Sequence, residues 1–156
     1  MIQISIPGSG ELRLEAALLD MNGTLAVDGM VPPAVLERVR RLATRLRVVV
    51  ATADTFGTVQ GALEGTGVEL RVLSERFGSV QKEKILEQLG PERTVAVGNG
   101  VNDHRMLARA VLGIAVLGRE GAAWETLRRA QVVVTDPADA LDLLLHPKRL
   151  VATLRD

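Results

Sequence analysis

Ala16-Ala17-Leu18-Leu19-Asp20-Met21-Asn22-Gly23-Thr24-Leu25 carries an apolar run straight into a carboxylate, an amide, a glycine and a hydroxyl. An uninterrupted apolar run bounded in this way reads as a strand covered on both faces, the kind found in parallel sheets. Asp20 then sits where a buried strand ends and the chain meets solvent. A carboxylate at that point, followed by a glycine and a hydroxyl, can be built into a phosphoryl-transfer site. Two residues on, where a second carboxylate would be useful, the chain has Asn22. The same exchange recurs at Asn99 in Gly98-Asn99-Gly100-Val101-Asn102-Asp103.

Outward from this strand, strands and helices alternate. Ile2, Ile4 and Ile6 alternate with polar residues, and Pro7-Gly8-Ser9-Gly10 turns the chain into Glu11–Glu15, which predicts an N-terminal β-hairpin. Leu25-Ala26-Val27, Asp28-Gly29 and Met30-Val31 have the Asp-Gly signature of a tight hairpin. Pro32 and Pro33 suit a first helical turn, and Val35, Val39, Leu42 and Leu46 follow at helical spacing. Val48-Val49-Val50-Ala51-Thr52 reads as a second buried strand ending in a hydroxyl. Further strands are expected at Leu70–Leu73, Thr94–Val97, Leu112–Val116 and Val132–Val134, with helices near 55–64, 80–89, 103–110, 137–145 and 147–154. The alternation predicts one doubly wound, mainly parallel α/β domain over residues 1–156, with the hairpin outside its core pattern. In open α/β sheets ligands bind beyond the carboxyl ends of the strands, so Asp20, Thr52 and Gly98 to Asp103 are expected to converge.

Composition narrows the function. A hydrophobic fraction of 47% over 156 residues supports a sizeable core, and a formal net charge of zero gives no general electrostatic reason to expect nucleic acid. Arg38, Arg40, Arg41, Arg45 and Arg47 are expected to form a solvated face. The absence of cysteine excludes disulfides, thiolate metal sites and cysteine nucleophiles. His104 and His146 show no ligand spacing. No apolar run approaches a bilayer span, and the N-terminus lacks the basic start and cleavage site of a signal peptide, so a cytoplasmic protein is expected.

The converging residues suit acyl-phosphate chemistry. Asp20 could attack phosphorus, splitting hydrolysis into two easier steps. Backbone N–H groups after Asp20, the Thr52 hydroxyl, the Asn102 amide and a lysine could hold the phosphoryl oxygens. Lys82 and Lys84 are two of three lysines in a chain that otherwise uses arginine. Magnesium would be held by Asp20 and Asp103 with waters and a backbone carbonyl, and Asp54 is an alternative carboxylate.

Together these segments resemble the haloacid dehalogenase (HAD) superfamily, and within it the phosphorylation domain of P-type ATPases. Asp20-Met21-Asn22-Gly23-Thr24 resembles the nucleophile loop, Thr52 the hydroxyl motif, Lys82 the lysine motif and Gly98 to Asp103 the acidic motif, and the likeness covers most of residues 14–145. The resemblance implies Asp20 as nucleophile and magnesium ligand, with the Asn22 carbonyl, Asn99 and Asp103 as further ligands. It implies Thr52 and Lys82 as phosphoryl-holding residues, with Lys84 the alternative, and substrate contacts from Gly23, Thr24, Ala53 and Asn102.

The gaps between motifs are too short for a cap or nucleotide-binding domain. The site is therefore expected to be open, to a large phosphorylated substrate or to a partner acting as lid, and a homo-oligomer is compatible with this. Asn22 stands where family phosphatases place their acid–base aspartate, and loss of such catalysis costs about 10²–10⁴-fold. Asn99 stands where the family binds magnesium directly. The chain is thus expected to be a slow magnesium-dependent phosphohydrolase. The alternatives are an impaired domain that binds a phosphorylated ligand or protein partner, and a phosphoacceptor that signals without turnover. Asn22-Gly23 and Asn99-Gly100 are also expected sites of deamidation.

Overall fold

A computed structural model describes residues 1–53 and 58–156. Its centre is a six-stranded sheet of Ala16–Asp20 (β3), Arg47–Thr52 (β4), Glu69–Val72 (β5), Thr94–Gly98 (β6), Leu112–Val116 (β7) and Val132–Val134 (β8). The spatial order is β5-β4-β3-β6-β7-β8, and every neighbouring pair is parallel. The chain winds outward from β3 through Pro33–Ala43 (α1) to β4, then through Thr58–Leu63 (α2) to β5. Gly78–Leu89 (α3) brings it back to β6 on the other side of β3, and His104–Arg109 (α4) and Trp124–Leu127 (α5) lead outward to β7 and β8. Pro137–Leu145 (α6) and Pro147–Leu154 (α7) follow. The winding reverses between β3 and β6, and a sheet that reverses there opens a crevice at the carboxyl ends of those two strands.

The central strands β3, β6 and β7, and β4 after Arg47, are buried on both faces because helices cover both, whereas the edge strands β5 and β8 are partly exposed. Ala17, Leu19, Val48, Val50, Val95, Val97 and Ile114 face a layer that includes Val39 and Leu42 of α1 with Leu141 and Leu144 of α6. Leu18, Val49, Ala51 and Ala96 face Leu86 of α3 with Met106 and Leu107 of α4. This explains the absence of polar alternation in the strand sequences. Asp20 is the last residue of β3, aligned with Ala51, so Thr52 extends one residue beyond it on the adjacent strand.

The hairpin of Ile2–Ile6 (β1) and Gly10–Leu14 (β2) is a separate antiparallel pair, as its alternation predicts. It stands outside the six-stranded sheet, as expected, yet it packs onto that sheet's core layer. Ile2, Ile4, Ile6 and Leu14 are buried in the same cluster as α1 and α6, so the hairpin's apolar face is covered by the chain itself. The Asp28-Gly29 turn forms, with both residues at positive φ and paired backbone bonds between Val27 and Met30, but it carries a single bridge and not a ladder. Among the described residues, no helix is long and apolar enough to cross a membrane.

The arginines near α1 behave mostly as a solvated face. Arg40, Arg41 and Arg45 are exposed, and Arg47 pairs with Glu69. Arg38 is the exception: its guanidinium grips both oxygens of Asp142 on α6, at 2.8 and 3.1 Å, and ties the two helices together. The hydrogen bond from Arg38, then its charge, hold the Asp142 carboxyl below the ordinary aspartate range, against the opposing effect of burial. A depressed carboxylate stabilises the fold above its unfolded pKa and loses that contribution as pH falls through its folded value. Arg38→Met is therefore expected to lower the urea midpoint at pH 7, with the deficit shrinking as pH drops below about 3.9. Urea titrations across that range measure it, and a pH-independent deficit would assign Arg38 to packing alone.

Candidate active site

At the crevice between β3 and β6, three charged side chains meet. Lys82, from the second turn of α3, places Nζ 2.6 Å from Asp20 Oδ1 and 2.6 Å from Asp103 Oδ1. Lys82 and Asp103 have no solvent exposure, and Asp20 is 6% exposed. Lys84, the alternative lysine, is exposed. A buried ammonium is tolerable only when paired and hydrogen-bonded, and here two carboxylates do both. Burial works against the Lys82 charge, but Asp20 and Asp103 outweigh it and hold the ammonium above its ordinary range.

The two carboxylates are held differently. Asp103 Oδ2 accepts from the backbone N–H groups of Asn99 and Gly100, at 2.9 and 3.0 Å, so both of its oxygens are taken. Asp20 Oδ2 accepts a bond from the Thr24 hydroxyl at 3.0 Å. Burial first, then the Asp103 charge, raise the Asp20 pKa to about 6, with Lys82 and Thr24 offsetting part of the rise. Asp103 is thus a fully satisfied structural charge, whereas Asp20 reaches solvent and is less fully compensated.

The loop after β3 and the loop after β6 interlock. Thr24 Oγ1 also lies 3.0 Å from Asn99 Oδ1, so one hydroxyl bridges the two segments. Gly23 has φ 77°, and a Cβ there would collide with the Asn99 amide nitrogen. Only glycine meets both demands, the left-handed backbone and the close approach. Asn99 Nδ2 donates to Gly121 O at 3.1 Å, and Asn99 O accepts from Ala123 N at 2.8 Å. The deamidation expectation meets an obstacle in the fold. Gly100 N donates to Asp103 Oδ2 and Gly23 N to Ala26 O, so neither following amide is free to turn on the asparagine side chain.

The remaining expected residues fall around this centre. Thr52 is buried at the end of β4, and Ala53 follows it in the exposed rim. Asn22 is exposed. Asn102 is exposed, with its side chain against Gly78 at the start of α3. Asp54 lies outside the described residues, as does the start of the helix expected near 55–64. His104 accompanies Asp103 only as a neighbour, and its ring nitrogen contacts Val101 O at 2.5 Å.

Residues the sequence did not point to also contribute. Thr126 Oγ1 donates to Gly100 O at 2.6 Å, and the turn Gly118-Arg119-Glu120-Gly121 after β7 meets Asn99. Its glycines and its place at the end of a strand were legible signals. Phe77, Val101 and Trp124 are exposed by 77, 62 and 76%, at the starts of α3 and α5 and in the turn after β6.

No group of three His, Cys, Asp or Glu that could hold a metal occurs among the described residues. The site instead offers Asp20 Oδ2 and Asn99 Oδ1, both 3.0 Å from the Thr24 hydroxyl oxygen. Asp20 and Asp103 less Lys82 leave one net negative charge. Such a set suits a hard cation that keeps most of its waters and takes other ligands from a phosphate, as magnesium does.

No family model matches the chain. An uncharacterized protein of Methanocaldococcus jannaschii, MJ0073, is 47% identical over 93 residues, which are 56% of this chain and 100% of that protein. The potassium-transporting ATPase ATP-binding subunit of Thermoplasma volcanium is 23% identical over 132 residues, which are 84% of this chain but 20% of the subunit. Among solved structures, a Streptomyces avermitilis protein described as of the HAD hydrolase family superimposes with a TM-score of 0.68 at 21% identity, covering 87% of each chain. The 3-deoxy-D-manno-octulosonate 8-phosphate phosphatase of Moraxella catarrhalis, solved with magnesium, phosphate and KDO, gives a TM-score of 0.65 at 11% identity, covering 91% of this chain and 94% of that one. The fold is therefore HAD-like, and the described residues include no cap domain.

The Asp20 pKa sets a sign. A carboxyl raised to about 6 from 3.8 contributes stability that is full below the ordinary value and is lost as pH rises through 6. Lys82→Met leaves Asp20 and Asp103 facing each other without a counter-charge, and breaking a buried pair this way costs about 3–5 kcal/mol. The deficit is expected at pH 7.5 and should narrow below about pH 6 as Asp20 takes up a proton. Chemical denaturation at the two pH values checks this; an equal deficit at both would show that lost packing dominates.

Proposed function

The chain belongs to one family with the M. jannaschii protein MJ0073 and is built on the HAD fold, and on that footing we propose that it is a slow magnesium-dependent phosphohydrolase working through an aspartyl phosphate at Asp20. The observation that carries this reading is the unequal treatment of the two carboxylates. Asp103 is locked by Lys82 and two backbone N–H groups, while Asp20 is oriented by Lys82 and Thr24 yet still reaches the crevice. That is the arrangement a nucleophile needs: fixed in direction, with Oδ2 carrying only the Thr24 bond and so keeping a lone pair for the substrate.

In the first step Asp20 Oδ2 attacks phosphorus. The ester oxygen leaves with the bonding pair, and the phosphoryl group is transferred to the carboxylate. Lys82 and the Thr52 hydroxyl stabilise the phosphoryl charge, together with backbone N–H groups of the loop through Gly23 and Thr24. Ala53 and Asn102 form the rim that the substrate crosses. Water then attacks the acyl phosphate, releasing phosphate and restoring Asp20. Asn22, where the resembling phosphatases carry an acid–base aspartate, has no proton to give or take, so both steps are slow. Magnesium, held by Asp20, the Asn22 carbonyl and Asn99, would neutralise phosphoryl charge. Asp103, with both oxygens already engaged, serves by holding Lys82.

Esters with good leaving groups are expected to turn over best, since they need no acid. The exposed Phe77, Val101 and Trp124 would meet the body of a large substrate or a covering partner. A second reading, a binding domain without turnover, draws support from the Asn99 amide, whose two ends are committed to Thr24 and Gly121.

Hydrolysis of 4-nitrophenyl phosphate and acetyl phosphate, with and without magnesium, separates these readings. Asp20→Asn should abolish turnover, and Asn22→Asp should raise it by about 10²–10⁴-fold by restoring an acid–base group. A wild-type protein and an Asn22→Asp variant that are both inert, with no magnesium binding by calorimetry, would sink the phosphohydrolase. In the metal-free protein the Asp20 carboxyl, followed by carbon NMR, should titrate near 6 and move lower when magnesium is added.

A further inference from the structure

A groove of about 460 Å³ begins at Gly23 and Thr24 of the nucleophile loop and runs between the start of α1, the 118–121 turn and the start of α6. This volume is in the range of small-molecule sites, roughly 300–1,000 Å³. Val27, Pro32 and Val35 give it an apolar wall, and two arginines line it. Arg38 is spent: it binds both Asp142 oxygens and donates to Ala34 O. Arg119 is exposed and has no hydrogen bond or ion pair among the described residues. Asp136 also lines the groove, but its carboxylate already accepts from Ala138 N, which leaves Arg119 as the lining cation without a partner among the described residues.

Surface arginines are usually just solvated, but this one is carried by a turn fixed at several points. Gly121 N donates to Gly118 O at 3.0 Å and closes the turn. Asp28 N donates to Glu120 Oε2 at 3.3 Å, which draws that carboxylate toward the 28–29 turn. Asn99 Nδ2 donates to Gly121 O at 3.1 Å. This last bond needs an amide. An aspartate at position 99 could accept from Thr24, but at neutral pH it would set a carboxylate oxygen against the Gly121 carbonyl. The asparagine that lowers the charge available to a metal is therefore the residue that fixes the turn bearing Arg119 beside the nucleophile loop.

We propose that this groove is a subsite for the non-reacting part of the substrate, an apolar-bodied phosphate ester carrying a second anionic group, carboxylate or phosphate. Arg119 is its specificity-determining residue, and Asn99 is the positioning residue that holds the turn. The proposal rests on the phosphohydrolase reading for the reacting phosphate, and it adds a class of substrate. An arginine meeting an anion gains a charge-assisted hydrogen bond that solvent-exposed neutral groups cannot supply.

The test reads binding on Asp20→Asn protein in magnesium chloride, so that turnover does not enter. Calorimetry compares phenyl phosphate with 4-carboxyphenyl phosphate and 1,4-phenylene bisphosphate. The second anion is expected to tighten binding by about 10- to 100-fold, the worth of one hydrogen bond to a charged group. Arg119→Ala should remove that gain, Arg119→Lys should keep part of it, and Asn99→Asp should diminish it. Whichever acid gains more identifies the natural group as carboxylate or phosphate. Equal affinity for all three compounds, binding of none, or a gain that survives Arg119→Ala would overturn the subsite. Wild-type protein that hydrolyses none of them would instead overturn the phosphohydrolase reading while the binding result stands.

Discussion

A lysine ammonium with no access to solvent, gripped at 2.6 Å by two carboxylates, is the constraint around which this protein is arranged. Lys82 comes from α3, Asp20 from the end of β3 and Asp103 from the turn after β6. No two of these elements could shift without stranding a buried charge, a loss of several kcal/mol. The trio therefore sets the height of α3 against the sheet and the closeness of the two loops. It also sorts the carboxylates. Asp103 is saturated by Lys82 and two backbone donors, while Asp20 keeps contact with solvent and an elevated pKa.

The second constraint is the interlocking of the loop after β3 with the loop after β6. Thr24 bridges Asp20 and Asn99, and Gly23 makes room for the Asn99 amide. This gives the departure at position 99 a physical sense. An aspartate would offer charge to a metal; the asparagine offers a donor as well as an acceptor, and uses the donor to fix the 118–121 turn. Asn22, by contrast, is exposed and bonded to nothing that demands an amide among the described residues. The two asparagines look alike in the sequence and differ in their surroundings: one is exposed with no side-chain bond among the described residues, the other is tied into two loops.

Much of the architecture could be read in advance because its signals are local. Apolar runs without polar alternation belong to strands covered on both faces, and helical spacing of Val35, Val39 and Leu42 needs no distant partner to be recognised. Asp28-Gly29 sets a turn by its own backbone preferences, although the ladder it might have opened ends after one bridge. The hairpin forms as a separate pair, as its residues indicate, but its packing was not legible. Its alternation declares a half-buried strand but not what buries it, and the answer is the layer that includes α1 and α6.

By itself, the sequence determined the order of strands and helices, the strand-end position of Asp20 and Thr52, and the set of residues able to meet at one end of a sheet. These follow from periodicity, turn chemistry and the rule that parallel α/β sheets bind ligands at their carboxyl ends. Only the tertiary structure decided between Lys82 and Lys84, since the two differ by half a helical turn and just one of them points into the crevice. It alone separated the roles of Asp20 and Asp103, which depend on donors contributed by residues distant in the chain. It alone joined Asn99 to Gly121, because a hydrogen bond across 22 residues leaves no trace in local spacing.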